Sequence, residues 1–316
     1  MLKVLITGGA GFIGSHLADR LLTLGNEVLV IDNFETATKE NLKPHPSLTV
    51  VQANINSPEA VDKIFATFWP DTVIHAAASY KDPSDWAHDV NTNVIGTINI
   101  IRSSEQFRIQ RLIYFQTSLC YGLHPMEQPI SLSHPLLHGD PYGVTSYAIS
   151  KTAAEQYLML SGLNFVSFRL ANVYGPRNIT GPLPAFYKRL SSGSKCVVVD
   201  TRRDFIYIDD VVACVLNALV DLSKKGIYHI STGRDVSIKT MFKTMAEILG
   251  VSPEGKMIEK PQGKDDVHTI LIDPSKTLRD FNWRAQTTLA DGVAKTVEWY
   301  KNNKVLETFT HLKDLN

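Results

Sequence analysis

Lys3-Val4-Leu5-Ile6-Thr7 runs directly into Gly8-Gly9-Ala10-Gly11-Phe12-Ile13-Gly14, and the reading of this stretch decides the fold. A short apolar run of strand character leads into a turn made of glycines, which accept backbone shapes and close approaches denied to other residues. From Ser15 to Leu24 the apolar positions Leu17, Leu21 and Leu22 recur at helical spacing, and Gly25 supplies a helix end. Val28-Leu29-Val30-Ile31 is a second buried strand closing at Asp32. A unit of about 30 residues in this order is a βαβ motif, with parallel strands and a right-handed crossover.

Outward from that unit the alternation continues. Residues 48–51, 72–75, 111–115 and 165–170 read as strands, and 58–69, 94–107 and 146–161 as the helices between them. Apolar strands without alternation, separated by helices, predict an α/β fold: a doubly wound parallel sheet of Rossmann type, covered on both faces. After Val173 the texture changes, with Gly175-Pro176, Gly181-Pro182 and Pro184 breaking the pattern. Residues 209–222 read as a helix and 226–231 as a strand able to rejoin the sheet. The expected organisation is a dinucleotide-binding domain over 1–174, rejoined by about 204–233, with a smaller substrate-binding lobe over most of 175–316.

Composition narrows the function. Among 316 residues, 32 Lys and Arg balance 32 Asp and Glu, so no whole-domain basic field exists to hold nucleic acid. Charged residues at 20% and apolar at 44% exclude intrinsic disorder. Cys120, Cys196 and Cys214 show no paired spacing, so neither a disulfide framework nor a zinc site is expected. No apolar run reaches the roughly 18 residues of a membrane span. The chain passes from Met1 straight into a strand, without signal-peptide character, so a cytoplasmic protein with no membrane partner is expected.

A glycine turn between strand and helix lets backbone N–H groups and the helix dipole meet a pyrophosphate. Here the spacing is Gly8, Gly11, Gly14, with Phe12 and Ile13 inside the motif, and Asp32 follows Gly14 by 18 residues. A carboxylate at that strand end accepts hydrogen bonds from a ribose diol and repels a 2′-phosphate, so NAD is expected in preference to NADP. Asn33, next to Asp32, joins the expected cofactor set.

Thr7 to Gly14 resembles the extended branch of the short-chain dehydrogenase/reductase superfamily, the sugar-nucleotide epimerase and dehydratase group. His75-Ala76-Ala77-Ala78, Asn93-Val94-Ile95-Gly96-Thr97, Tyr121-Gly122, Tyr147-Ala148-Ile149-Ser150-Lys151, Asn172-Val173-Tyr174-Gly175-Pro176 and Arg203-Asp204-Phe205 follow in the family's order. The resemblance implies that Ala76, Ala77 and Ala78 lie along the dinucleotide and that Asn93 supports the site. Asn54-Ile55 stands where the family usually has Asp before an aliphatic residue beside the adenine, and Asn still offers a carbonyl acceptor.

Tyr147 and Lys151 are one helical turn apart, so their side chains share a face. A nearby ammonium favours the phenolate and is expected to lower the Tyr147 pKa, making it a base for a substrate hydroxyl. Lys151 is also expected at the nicotinamide ribose, as the resemblance implies. Thr117, at a strand end, matches the family's Ser or Thr and can share the O4 proton with Tyr147. Ser118 can assist, and Gln116 replaces the family's common Ser. Dehydratases of the family carry Asp-Glu after the Thr, whereas this chain has Ser118-Leu119 and Cys120 one place later.

The resemblance sets Arg203 against a substrate pyrophosphate and Asn172 at the sugar nucleotide. The family's second arginine is absent, and Lys264 is the expected substitute. His124, His134 and His138 lie in a proline-broken segment without metal-ligand spacing, so no metal is expected. The expected activity is inversion of C4 of a sugar nucleotide, a UDP-sugar by default, through a transient 4-keto sugar. Dehydratase, 4-ketoreductase, dehydrogenase or a silent NAD-binding subunit are the alternatives, and a homodimer is the expected assembly.

Overall fold

The protein is described from a computed structural model covering residues 1–80, 82, 84–137, 145–263 and 267–303. Its first half is β1 (Lys3–Thr7), α1 (Phe12–Thr23), β2 (Glu27–Asp32), β3 (Leu48–Gln52), α2 (Pro58–Phe68) and β4 (Thr72–His75). There follow α3 (Trp86–Asp89), a π-helical segment (Val90–Gly96), α4 (Thr97–Gln106), β5 (Arg111–Thr117), α5 (Ser146–Leu160) and β6 (Phe165–Leu170). Beyond it come β7 (Asn172–Tyr174), α6 (Pro182–Ser191), β8 (Cys196–Val199), β9 (Arg202–Arg203), β10 (Phe205–Tyr207), α7 (Ile208–Val220) and β11 (Gly226–Ile230). The chain ends with β12 (Val236–Ser237), α8 (Ile238–Leu249), β13 (Met257–Lys260), β14 (Thr269–Ile270), α9 (Ser275–Phe281) and α10 (Leu289–Asn302).

The main sheet has seven strands in the order β11-β6-β5-β4-β1-β2-β3, paired in parallel throughout. Strand order reverses at β1, where Thr7 sits between Ile31 of β2 and His75 of β4. The carboxyl ends of the strands therefore open a crevice at that point, the place where doubly wound sheets bind ligands. Buried side chains divide by strand parity. Val4, Ile6, Ile113 and Phe115 face α1 and α7, whereas Leu5, Leu112 and Tyr114 face α2, α4 and α5. Short pairings (β7 with β10, β8 with β13, β9 with β12 and β14) build the surface beyond the crevice. No described helix is long and apolar enough to cross a membrane.

Two boundaries differ from the sequence reading. α1 begins at Phe12, inside the glycine motif, because Gly11 is its N-cap. The helix expected over 94–107 starts earlier, at Trp86, and contains the π-helical segment. The wider turn lets Asn93 point inward to bond Ser79 and Ser150, a local demand that apolar periodicity does not register.

Gly8 has φ +64°, and a Cβ there would lie 2.6 Å from the Ala77 backbone; Gly25 has φ +78° with open space around it. Gly8→Ala and Gly25→Ala thus share the backbone penalty and differ in the clash. Thermal and urea unfolding should show Gly8→Ala less stable than Gly25→Ala by roughly 2 kcal/mol. Equal losses would show that β1 and β4 loops can part at no cost.

Candidate active site

The turn after β1 is held by backbone bonds from Gly8 to Ile31 at 2.8 Å and from Gly11 to Gly8 at 3.1 Å. A Cβ on Gly14 would stand 2.4 Å from the Gly8 carbonyl, so α1 packs against the turn only because Gly14 has none. Gly11 brings no side-chain cap, which leaves the first-turn N–H groups of Phe12, Ile13 and Gly14 turned toward the crevice with the positive end of the helix dipole. The geometry fits a diphosphate. Asp32 ends β2 beneath this turn, one carboxylate oxygen accepting from Ala10 N–H and the other from Phe34 N–H, each at 2.9 Å. Burial raises its pKa, opposed by those two bonds. Each oxygen keeps a further lone pair for a diol.

Asn33 is exposed and engaged with Glu35. Asn54 accepts from Asn56 N–H at 3.3 Å, and Ile55 is buried against Gly96. Ala76, Ala77 and Ala78 line the crevice as a partly exposed segment, bonded to Thr7 through the amides of Ala76 and Ala77.

Behind that segment runs a buried chain of polar groups. Thr97 Oγ1 donates to the Asn93 carbonyl at 2.6 Å, so it must accept from His75 Nε2 at 2.9 Å. Nδ1 of His75 then accepts from Thr7 Oγ1 at 2.6 Å, and Thr7 Oγ1 accepts from Ala77 N–H. Burial drives the His75 pKa down to about 3, with the Lys151 charge pushing the same way, so the ring is neutral. Asn93 receives Ser79 N–H at 2.8 Å and donates to Ser150 at 3.0 Å, joining the π-helical segment to α5.

α5 is capped by Thr145, whose hydroxyl accepts from Ala148 N–H, and it carries Tyr147 and Lys151 on one face. Lys151 is buried, its ammonium 4.0 Å from the centre of the Tyr114 ring. Burial lowers its pKa to about 7, and Glu155 opposes that fall. The Tyr147 phenol moves the other way from the sequence expectation. Burial raises its pKa, helped by Tyr80 and Asp89, so desolvation outweighs the ammonium in the chain alone. Thr117 caps the turn after β5, its Oγ1 accepting from Leu119 N–H at 3.1 Å, which leaves its proton free to donate into the crevice. Gln116 locks this turn to α5: its amide donates to the Lys151 carbonyl at 2.9 Å and its oxygen accepts from Thr117 N–H at 2.8 Å. Ser118 is buried beside it, and Cys120 is wholly buried with a pKa raised by desolvation, a packing residue.

Farther out, Asn172 lies in β7 opposite Phe205. Arg203 donates to the carbonyls of Arg202 and Val267, which ties β9 to the segment that leads into β14. Lys264 and His138 lie outside the described residues. His134 is occupied at both ring nitrogens, by Met126 N–H and the Pro135 carbonyl.

Some residues of this site escape sequence reading. Tyr80, whose ring meets that of Tyr147 at 6.3 Å, follows the alanines without belonging to any periodic pattern. Asp89 accepts from Ser79 Oγ, and only the early start of the helix could have indicated it. Glu155 lies one turn beyond Lys151 on the same face, a spacing that was available as a signal.

Residues 4–231 match the model of the NAD-dependent epimerase/dehydratase family. A relative in Methanocaldococcus jannaschii described as a putative UDP-glucose 4-epimerase is 30% identical, over 95% of this chain and 99% of its own. The Bordetella bronchiseptica enzyme WbmG, solved in complex with NAD and UDP, superposes with a TM-score of 0.91 at 41% identity, covering 99% of both chains. WbmH of the same organism, solved with NAD+, gives 0.88 at 45% identity over 95% of this chain and 99% of that one.

The proton inventory around His75 has a sign that can be measured. An unfolded chain takes up a proton near pH 6.5, while the folded chain refuses it until about 3. Stability carried by this residue therefore falls as pH drops from 6.5 toward 3. 15N NMR of the ring should find the neutral Nε2–H form throughout pH 5–8, and a protonated ring at pH 6 would contradict the chain of bonds.

Proposed function

This chain belongs to the NAD-dependent epimerase/dehydratase family, and from that footing we propose that it inverts C4 of a UDP-sugar, with Tyr147, Lys151 and Thr117 as its catalytic residues. The observation that carries the reading is Tyr147 and Lys151 on one face of α5, locked by Gln116 to the turn of Thr117, with Ser118-Leu119 and no carboxylate following.

NAD is the cofactor, and it supplies, when bound, a two-electron acceptor and donor for C4. The chain's part is to hold and orient. The N–H groups at Phe12, Ile13 and Gly14 receive the diphosphate, and Asp32 with Asn33 receives the adenosine ribose. Asn54 and Ile55 flank the adenine, and Ala76 to Ala78 flank the remainder, with Asn93 behind them. Lys151 donates to the nicotinamide ribose. Tyr147 would act as phenolate, the form favoured by the Lys151 ammonium and by the positive charge that bound NAD+ would bring. It takes the O4 proton as C4 becomes a ketone, and Thr117, its own oxygen committed to Leu119, donates to the same O4. The 4-keto sugar turns over, and Tyr147 returns the proton at the inverted centre. Ser118 and Asn172 contact the sugar, and Arg203 with Lys264 meets the substrate diphosphate.

We assign residues 1–174, with 204–233, to the cofactor domain and most of 175–316 to the substrate lobe. A homodimer through α4 and α5 is supported by exposed Ile149, Tyr157, Met159 and Leu160 on α5. Three free buried thiols suit a reducing compartment, which supports a cytoplasmic location.

Proton NMR of the protein with a panel of UDP- and dTDP-sugars should show a second anomeric signal growing to equilibrium without added cofactor. Stoichiometric consumption of NADPH, or release of a 4-keto product, would overturn the reading. Tyr147→Phe should abolish interconversion while cofactor stays bound, and Thr117→Ala should lower kcat on the order of 10²-fold.

A further inference from the structure

Lys151 has a second neighbour along α5 whose surroundings are unusual. Glu155 is wholly buried, one turn beyond Lys151 on the same helix face. Its carboxylate is fully engaged from β6, two residues of one strand face reaching it together. Ser167 Oγ donates at 2.5 Å, and Arg169 donates through Nε at 3.2 Å and Nη2 at 2.6 Å. Arg169 is itself buried and gives Nη1 to the Tyr121 hydroxyl at 2.7 Å. Tyr121 must then donate to His229 Nε2, at 2.5 Å, and His229 Nδ1 donates to the Asp273 carbonyl at 2.8 Å. Tyr121 belongs to the same turn that Thr117 caps.

Buried ion pairs seldom add net stability, because desolvation offsets the attraction, and apolar replacements of equal volume are often as stable. A charge pair kept here, with both carboxylate oxygens and all three guanidinium nitrogens engaged, calls for a reason other than stability. We propose that Glu155 is a positioning residue for the catalytic lysine: its fixed negative charge holds the Lys151 ammonium protonated within the buried site, while Arg169 anchors that carboxylate to the sheet and to the Thr117 turn. The inference rests on the catalytic reading of Tyr147 and Lys151. Other titratable groups facing Lys151 are Tyr147 on its own helix, Tyr114 on β5 and His75 on β4. None of these carries a negative charge at neutral pH, His75 being neutral and both phenols being shifted upward by burial, and the buried carboxylate of Asp89 on α3 acts on the Tyr147 phenol. Glu155 alone opposes the desolvation of Lys151 among the interactions that set its protonation.

Competitive acetylation of lysines by acetic anhydride across pH 5–10, read by peptide mass spectrometry on the cofactor-stripped full chain, gives the Lys151 titration midpoint directly. In Glu155→Gln the midpoint should fall by about one pH unit. Tyr121→Phe breaks the same buried network without removing a charge, so its midpoint should remain that of the wild type. Glu155→Gln/Arg169→Met replaces the pair with neutral groups, leaves no unpaired buried charge should the single variant fail to fold, and should show the same downward direction. An unmoved midpoint in the Glu155 variants overturns the proposal, as does an equal shift in Tyr121→Phe, which would mark a structural effect. Tyr147→Phe retaining turnover would unseat the catalytic reading while leaving the Lys151 midpoint response in place.

Discussion

The Lys151 carbonyl accepts hydrogen bonds from the Gln116 amide at 2.9 Å and the Tyr114 hydroxyl at 3.1 Å, and the geometry of the crevice depends on that double acceptance. It ties the helix that carries the phenol and ammonium to the strand that ends in Thr117. Each bond contributes only about 1 kcal/mol net, but a buried amide left without its partner costs about 1–3 kcal/mol. Gln116 and Tyr114 are both buried and both belong to β5, so sliding α5 along the sheet would break two bonds for one movement. Proton transfer needs donor and acceptor placed within a few tenths of an ångström, which loops alone do not provide.

Most of the architecture was legible because a parallel sheet buried on both faces writes itself as apolar runs. Every main-sheet strand from β1 to β6 falls where such a run is found, and β11 rejoins beside β6 as the change of texture suggested. Legibility failed where one polar side chain decides the backbone. The π-helical segment exists to aim Asn93 at Ser79 and Ser150, and no hydrophobic period encodes that requirement. β7 was also missed, since Asn172-Val173-Tyr174 takes strand form only by pairing with Phe205-Ile206-Tyr207, far along the chain.

For the candidate site, which side chains lie together on α5 was legible by spacing, while their electrostatics were not. A tyrosine one turn from a lysine suggests a phenol made acidic by an ammonium. In the folded chain burial acts on both groups, pushing the phenol up and the ammonium down to about 7. Two groups one helical turn apart are thus shifted toward their neutral forms by the same cause. Spacing on a helix reports which side chains meet, whereas the dielectric around them depends on Tyr114, Tyr80 and the strands behind, which only the assembled sheet brings close.

The equal numbers of acidic and basic residues, 32 of each, leave anion recognition to local devices. At one end of the crevice the device is backbone: a glycine N-cap and a helix dipole, with no cation required. Toward the other we have proposed Arg203, whose guanidinium donates to the carbonyls of Arg202 and Val267. Carbonyl dipoles orient a guanidinium, and its neighbour Arg202 is held by the Asp235 carboxylate at 2.5 Å. Two neighbouring arginines on β9 thus have different settings: Arg202 is paired with a carboxylate, whereas the backbone carbonyls of its own strand and of Val267 help to orient Arg203.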